Sequence, residues 1–219
     1  MSRKLKFTLQ IILFISITLT GYLLFRNIMQ PIRFQKLYNQ RFEIVKQRLI
    51  EIRDAQIAYK SNYGFYASDF DILVNFIKKD SIKVVRSNGS VPDSIAIQFK
   101  NKKEAEVKAL EYGIITRDTL KISVLDSLFD SSYNVDDIKF VPFSNSEEIF
   151  EMTATSISTM SGINVPVFEV KADNYMFTSG LNKQEVANLN KLLEEQGKYA
   201  GIKVGSITEV TNNSGNWGN

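Results

Sequence analysis

Residues 7–25 read FTLQIILFISITLTGYLLF, and residues 38–63 read YNQRFEIVKQRLIEIRDAQIAYKSNY. The first stretch carries no charged side chain. As an α-helix it would extend about 28 Å at ~1.5 Å per residue, close to the ~30 Å hydrocarbon thickness of a bilayer. Lipid offers no partners for backbone N–H and C=O groups, so a spanning segment must be helical. The two stretches predict a long N-terminal helix that begins as a membrane anchor.

A cleaved signal peptide is the alternative interpretation of residues 7–25. The basic start of the chain suits both interpretations. The apolar run is long, however, and Thr18–Thr20 is a poor cleavage site because apolar residues continue to Phe25. The sequence therefore favours an uncleaved, single-pass anchor. Basic residues flank the span on both sides, but a short tail before a large domain favours an orientation with the tail inside and the C-terminal domain outside.

Composition limits the function classes. The formal net charge of +3 equals the contribution of Arg3, Lys4 and Lys6, so the remaining chain is neutral and gives no electrostatic case for nucleic acid. Cysteine and histidine are absent, which excludes a Ser-His-Asp triad, a cysteine nucleophile and the usual zinc clusters. No phosphate-binding or hydrolase motif is present. We expect no enzyme activity, no cofactor, no metal and no small-molecule substrate.

Past Pro31, where we expect a kink or a fresh helix start at the membrane surface, the helix becomes amphipathic. Apolar and amide side chains recur at alternating spacings of four and three, which is typical of a helix seam. The seam residues are Tyr38, Phe42, Val45, Leu49, Ile52, Gln56 and Tyr59. We favour a seam that packs on its own domain over a coiled coil with a partner helix. Gly64 is expected to end the helix in a left-handed conformation.

Beyond Gly64 the pattern predicts a mixed, mainly antiparallel α/β domain, which makes the fold class α+β. Helices are expected at Phe70–Lys79, with Ser68 or Asp69 as cap, at Lys102–Tyr112, and from the cap Asn182 to Glu195. The last helix should bury Val186, Leu189, Leu192 and Leu193. Strands are expected at Ile82–Val85, Ile114–Ile115, Leu120–Leu125, Ile138–Phe143, Ile149–Ser158, Val165–Ala172 and Ile202–Val204. Pro142 and Pro166 predict edges or bulges.

The chain therefore divides into five predicted segments. These are a basic tail (1–6), a transmembrane anchor (7–29), a helical stalk with the second helix (31–80), a globular domain (81–210) with an insertion around 95–113, and a flexible tail (211–219). The carboxylate pairs are interpreted as structural. Asp69 and Asp71 belong to a helix start, and Asp136-Asp137 to a turn.

The stretch Ile57–Tyr66, followed by Asp71–Leu73 and Phe76-Ile77, resembles the end of the first helix of type IV pilins and pseudopilins. In that family the helix ends in Tyr and Gly and a turn then introduces the globular head. Lys6–Leu9 is similar to the start of the same helix, but Lys6 replaces the Gly that the prepilin peptidase needs. Ile11 stands where the family has Glu. The likeness covers about a third of the chain.

A second resemblance covers most of the chain. It rests on Gln30–Gln35, Arg117–Thr119, Phe140–Pro142 and Gly201–Gly205, which are similar to a group of uncharacterised single-span membrane proteins of Bacteroidota bacteria. It implies no activity, but it implies a bacterial inner membrane with the C-terminal domain in the periplasm.

Three function hypotheses follow from the pattern and the resemblances. The first is a membrane-anchored, non-enzymatic structural or interaction protein, a pilin-like or pseudopilin-like subunit or scaffold of a cell-envelope assembly. The second is an inner-membrane assembly factor of a pilus or secretion machine that pairs through a coiled coil. The third is a membrane-anchored ligand-binding domain. The expected partners are the lipid bilayer and other proteins, or a second copy, through the stalk helix.

Overall fold

The computed structural model describes residues 3–97, 99, 101–130, 132–145, 147–159 and 162–218, and the side chains of all of these except 3–5 and 85–87. Seven helices and five strands are present in this described part: α1 Arg3–Tyr63, α2 Phe70–Lys79, β1 Ser81–Asn88, α3 Asp93–Ala96, α4 Lys102–Glu111, β2 Thr116–Ser123, α5 Val124–Leu128, β3 Glu151–Ser158, β4 Asn164–Asp173, α6 Asn174–Phe177, α7 Lys183–Glu195 and β5 Gly201–Gly205. A 3₁₀ helix spans Val135–Lys139. The fold is α+β with a long N-terminal helix and antiparallel sheets.

Helix α1 is 61 residues long and passes through Pro31 without a break. The expected fresh start at Pro31 is therefore wrong, since loss of one N–H leaves the rest of the helix hydrogen bonds in place. Gly64, with φ of 84°, ends the helix as predicted, and its N–H bonds to the Lys60 carbonyl at 2.8 Å. The part of α1 from Lys6 is long and apolar enough to cross a membrane, and none of its most apolar window is buried.

The chain forms two compact units. Unit 1 comprises Met1–Ile50, Lys139–Met152 and Glu169–Asn219. Its centre is formed by β5, α6 and α7 with the part of α1 that ends at Ile50. Phe177, Ile202 and Val204 are fully buried there.

Unit 2 comprises Glu51–Ile138 and Thr153–Phe168. Helix α2 is capped by the Asp69 side chain, which accepts from the Ile72 N–H at 2.9 Å, so the predicted cap is confirmed. Strands β1 and β2 pair antiparallel from Ser81 opposite Ser123 to Asn88 opposite Thr116. The chain between them forms α3 and α4, which is the insertion predicted around 95–113. It has a small core of its own, made of Ile95, Ala105, Ala109 and Ile115.

The second sheet has the strand order β3-β4-β5. Strand β5 pairs with Glu169–Asp173 of β4. Pro166 lies outside that pairing, where its missing N–H costs no bond to β5.

Four further predicted features are wrong. Ile138–Phe143 is not a strand because Val135, Ile138 and Val141 recur every third residue in and after a 3₁₀ helix, leaving only an isolated bridge from Phe140 to Ile149. Ile114 and Ile115 instead donate to the Ala109 carbonyl and close α4.

The remaining two corrections concern helix positions. Strand β2 ends at Ser123, and Val124 and Leu125 begin α5. In α7, Asn190 is buried while Leu192 is 51% exposed, because Asn190 lies one turn after the buried Val186 and Leu192 does not.

The C-terminal segment lies on β5 over its described residues. The Gly205 N–H bonds to the Ser214 carbonyl at 3.0 Å, and the Asn216 side chain bonds to Lys203 and Gly201, both at 3.0 Å. Gly215 lies against the Trp217 ring, where a Cβ atom would approach within 2.3 Å. The sequence predicts a C-terminal tail that is either disordered or laid on the surface of the domain, and these hydrogen bonds correspond to the second alternative. Of the predicted tails, Met1, Ser2 and Asn219 lie outside the described residues.

Candidate functional site

The candidate site is the junction in unit 1 where α1 meets the chain around α6 and α7. The apolar run of α1 ends at Phe25, and Tyr38 is buried about 20 Å further along the axis at ~1.5 Å per residue. A groove is lined by α1 residues between Tyr22 and Leu37, and a buried hydrogen-bond network begins at Tyr38. We define the junction as α1 residues 22–41 with residues 174–190.

A buried polar network holds the upper end of the junction. The Tyr38 hydroxyl donates to Asn174 Oδ1 at 3.0 Å, and Asn174 Nδ2 donates to Asn190 Oδ1 at 2.7 Å. The Thr178 hydroxyl donates to the Asn174 carbonyl at 2.7 Å. These polar groups are satisfied inside the unit, so the network fixes the rotation of α1 relative to α6 and α7.

Burial also changes the acidity of Tyr38. Removal from water disfavours the phenolate and raises the pKa of Tyr38 to about 12. The hydroxyl therefore stays protonated and able to donate to Asn174 throughout the physiological pH range. The Tyr38 ring is surrounded by Phe34, Phe42 and Phe177, with ring centroids 5.8–5.9 Å away.

Arg41 ties the same face of α1 to the end of α6. Its Nη1 donates to the carbonyls of Phe177 at 2.9 Å and Ser179 at 2.7 Å. Its guanidinium carbon lies 5.0 Å from the centroid of the Phe143 ring. Phe143 has a φ of 68°, an uncommon conformation for a bulky side chain, and the Arg41 contact lies directly on it.

The lower end of the junction is an open groove of about 430 Å³. Apolar side chains line most of it, together with Arg26, Gln30, Arg33 and the backbone turn Gly180–Asn182. Gln30 Nε2 lies 3.4 Å from Glu185 Oε1 beside the groove. Arg26 and Arg33 are exposed, and within the described part of the chain neither forms a salt bridge.

No family model, curated protein or solved structure matches the chain. The function must therefore be argued from the residues themselves.

The predicted seam residues are distributed over both units and are covered by the chain itself. In unit 1, Val45 and Leu49 are fully buried and Tyr38 nearly so, while Phe42 is half-buried. In unit 2, Ile52 is fully buried, and Tyr59 packs edge-on against Phe76 with ring centroids 5.1 Å apart. Burial of these residues within one chain corresponds to the intramolecular alternative.

Gln56, the polar member of the seam, has a defined role in unit 2. Its Nε2 donates to the Ala67 carbonyl at 3.0 Å, and its Oε1 accepts from the Ala67 N–H at 2.9 Å. This paired contact fixes the turn after α1, because both backbone groups of one buried residue are satisfied by one side chain. A polar residue at a seam position was the sequence signal for it.

Sequence reasoning missed Asn174 and Asn190 as members of the network that holds α1, and it missed Arg41 as the α1 residue that donates to Phe177 and Ser179. Tyr38 and Asn174 lie 136 positions apart, so no local pattern connects them. The burial of Asn190 was the one feature of this network that the sequence could have indicated, since Asn190 lies on the same face of α7 as Val186. Chemically, the site offers two unpaired cations beside an apolar groove, while residues that could hold a metal as a group of three are absent from the described part.

Proposed function

We propose that this chain is a membrane-anchored, non-enzymatic structural or interaction protein of a cell-envelope assembly, pilin-like in plan, with its C-terminal part in the periplasm. The observation that supports the proposal most strongly is that α1 has an exposed apolar part followed by a part with a buried face. One uninterrupted helix is exposed along its apolar run, residues 7–25, and is buried along a single face from Phe34 onward. A helix that is apolar on all sides needs an apolar solvent, which a bilayer provides.

The junction supports this proposal because it would fix the rest of unit 1 in position relative to the membrane-spanning part of α1. Tyr38 and Arg41 hold α1 through hydrogen bonds to α6 and the residues after it. A subunit or scaffold of an envelope assembly needs such a fixed connection, since a flexible linker would lose the geometry set by the helix. The pilin resemblance supplies the same plan of a helix shared by membrane and head.

The assembly-factor alternative needs a seam that is open to a partner helix. Val45, Leu49 and Ile52 are fully buried in the single chain, so this alternative would have to use another face of α1. The ligand-binding alternative is favoured by one observation, the groove at the base of the junction.

Photo-crosslinking in the membrane tests the proposal. A photoreactive residue replacing Ile15, which is 58% exposed on the apolar part of α1, should give protein adducts of defined mass. Adducts at the mass of a dimer would favour a pilin-like subunit, and adducts with one different protein would favour a scaffold. The matched control replaces Val45, which is fully buried and should give no intermolecular adduct.

Two results would contradict the proposal. A chain that is found only in the soluble fraction has no membrane anchor. A membrane-bound chain whose Ile15 probe reacts with lipid alone takes part in no assembly through this helix.

A further inference from the structure

The groove at the base of the junction is lined by both apolar and cationic side chains of α1. Its lower part is lined by Tyr22 and Phe25, which belong to the last turn of the apolar run. Its upper part is lined by Arg26 and Arg33. If α1 spans a bilayer, the apolar part lies at the edge of the hydrocarbon and the arginines lie among the headgroups.

The two arginines can act together. They are seven residues apart, so they lie on nearly the same face of the helix and about 10 Å apart along its axis. Asp and Glu are missing from the described lining of the groove, and Glu185 lies beside it, within reach of Gln30. The groove thus presents two guanidinium groups that lack an internal carboxylate partner, and guanidinium is the side chain best suited to phosphate oxygens.

We propose that the groove binds the headgroup of an anionic phospholipid, with Arg26 and Arg33 holding the phosphate and the apolar lining covering the start of an acyl chain. This inference rests on the proposed membrane anchoring of α1. A lipid fits better than a soluble partner because Tyr22 and Phe25 of the lining belong to the exposed apolar run, which acyl chains surround if α1 spans a bilayer. A bound lipid would also contact the turn Gly180–Asn182 and would thereby stabilise the packing of α1 against the start of α7.

Native mass spectrometry of the full chain released from nanodiscs measures this binding. The nanodiscs contain phosphatidylcholine and phosphatidylglycerol in equal parts, and the ratio of the two lipids that stay bound is recorded. The wild-type chain should retain phosphatidylglycerol preferentially. The double substitution Arg26→Gln with Arg33→Gln should lower that preference by about tenfold or more, since it removes both guanidinium groups that would donate to the phosphate oxygens.

Two controls separate a site from general attraction. Lys36→Gln removes the same charge from an exposed position on α1 outside the groove, and it should leave the preference unchanged. Arg26→Lys with Arg33→Lys keeps the charge and membrane insertion but loses the paired donors, so the preference should fall partway. An equal loss with Lys36→Gln would overturn the inference, because it would show attraction without a site.

Three other outcomes of the same experiment would contradict either the lipid site or the membrane anchoring on which it rests. Displacement of phosphatidylglycerol by excess inorganic phosphate would identify a free-phosphate site and overturn the lipid proposal. A wild-type chain that enters nanodiscs but shows no lipid preference contradicts this inference and leaves the anchoring intact. A chain that does not enter nanodiscs contradicts the proposed function itself.

Discussion

The two halves of α1 contain similar apolar residues and place them in opposite environments. In the first half, Leu13 and Phe14 are 60% and 72% exposed, and their neighbours on every side of the helix are exposed too. In the second half, Val45 and Leu49 are fully buried, while Ile44, which lies about 100° around the helix from Val45, is 49% exposed. The two halves differ in exposure because of how their apolar side chains are arranged around the helix, and not because of how much apolar surface they have. A stripe can be covered by one protein face, whereas a helix that is apolar all round cannot.

The largest expected effect comes from placing a charge in the buried half. Leu49→Asp puts an unpaired carboxylate at a fully buried position, and we expect a loss of about 4 kcal/mol or more in the free energy of unfolding. Ile44→Asp is the matched control on the exposed face and should cost under about 1 kcal/mol. Thermal unfolding followed by circular dichroism of the full chain in detergent measures both. A Leu49→Asp chain that keeps its stability and loses only self-association would mean that the seam is intermolecular.

The same substitution in the first half should act on insertion instead of folding. Leu13→Asp at the middle of the apolar run should cost about 3 kcal/mol of membrane insertion. The thermal unfolding of the remaining chain should not change. Carbonate extraction of cell membranes, with Leu13→Ala as the control, measures the inserted fraction. Full retention of the Asp variant in a carbonate-resistant form would break the proposed distinction between the two halves.

A smaller effect is expected from the buried network that joins α1 to unit 1. Asn174→Ala removes the acceptor of Tyr38 and the donor to Asn190, leaving two buried polar groups without these partners. We expect a loss of about 2 kcal/mol in unfolding free energy. Asn188→Ala, at an exposed position of α7, is the control and should be nearly neutral. Equal stabilities for the two variants would show that the network does not hold the junction.

The smallest expected effect concerns pH. Because the pKa of Tyr38 is raised from 10.0 to about 12 in the folded state, its contribution to stability is complete below pH 10 and is lost as pH rises to about 12. Tyr38→Phe should remove about 1 kcal/mol at neutral pH and flatten the decline in stability between those pH values. Denaturant unfolding at a series of alkaline pH values compares the two chains. An unchanged decline in the variant would assign the pH dependence to other groups.

These predictions separate what local sequence determines from what tertiary contacts determine. The helix ends were predictable because Asp69, Asn182 and Gly113 satisfy or close the adjacent backbone by local geometry. The seam was predictable because burial follows the helix period. By contrast, Ile138–Phe143 has apolar content that suits either a strand or a 3₁₀ helix, and the buried spacing of three decides for the helix.

The candidate site was less predictable than the fold. Arg26 and Arg33 stand out in the sequence only as basic residues after a span, and the groove exists because Gly180–Asn182 lies against them in the folded unit. Tyr38 was identified as a seam residue, but its partner Asn174 comes from the other end of the chain. Local periodicity identifies which face is buried and leaves the identity of the covering residues to the tertiary structure.

The central claim is that α1 serves at once as an uncleaved membrane anchor and as part of the core of unit 1. The most direct test is the intact mass of the native protein recovered from carbonate-washed membranes. We predict the mass of the full chain, allowing for loss of Met1, in the membrane fraction. The mass of a chain that begins at Phe7 would indicate prepilin-type processing after Lys6 and would strengthen the pilin-like proposal. A chain that begins after Thr20 and is recovered in the soluble fraction would contradict the claim.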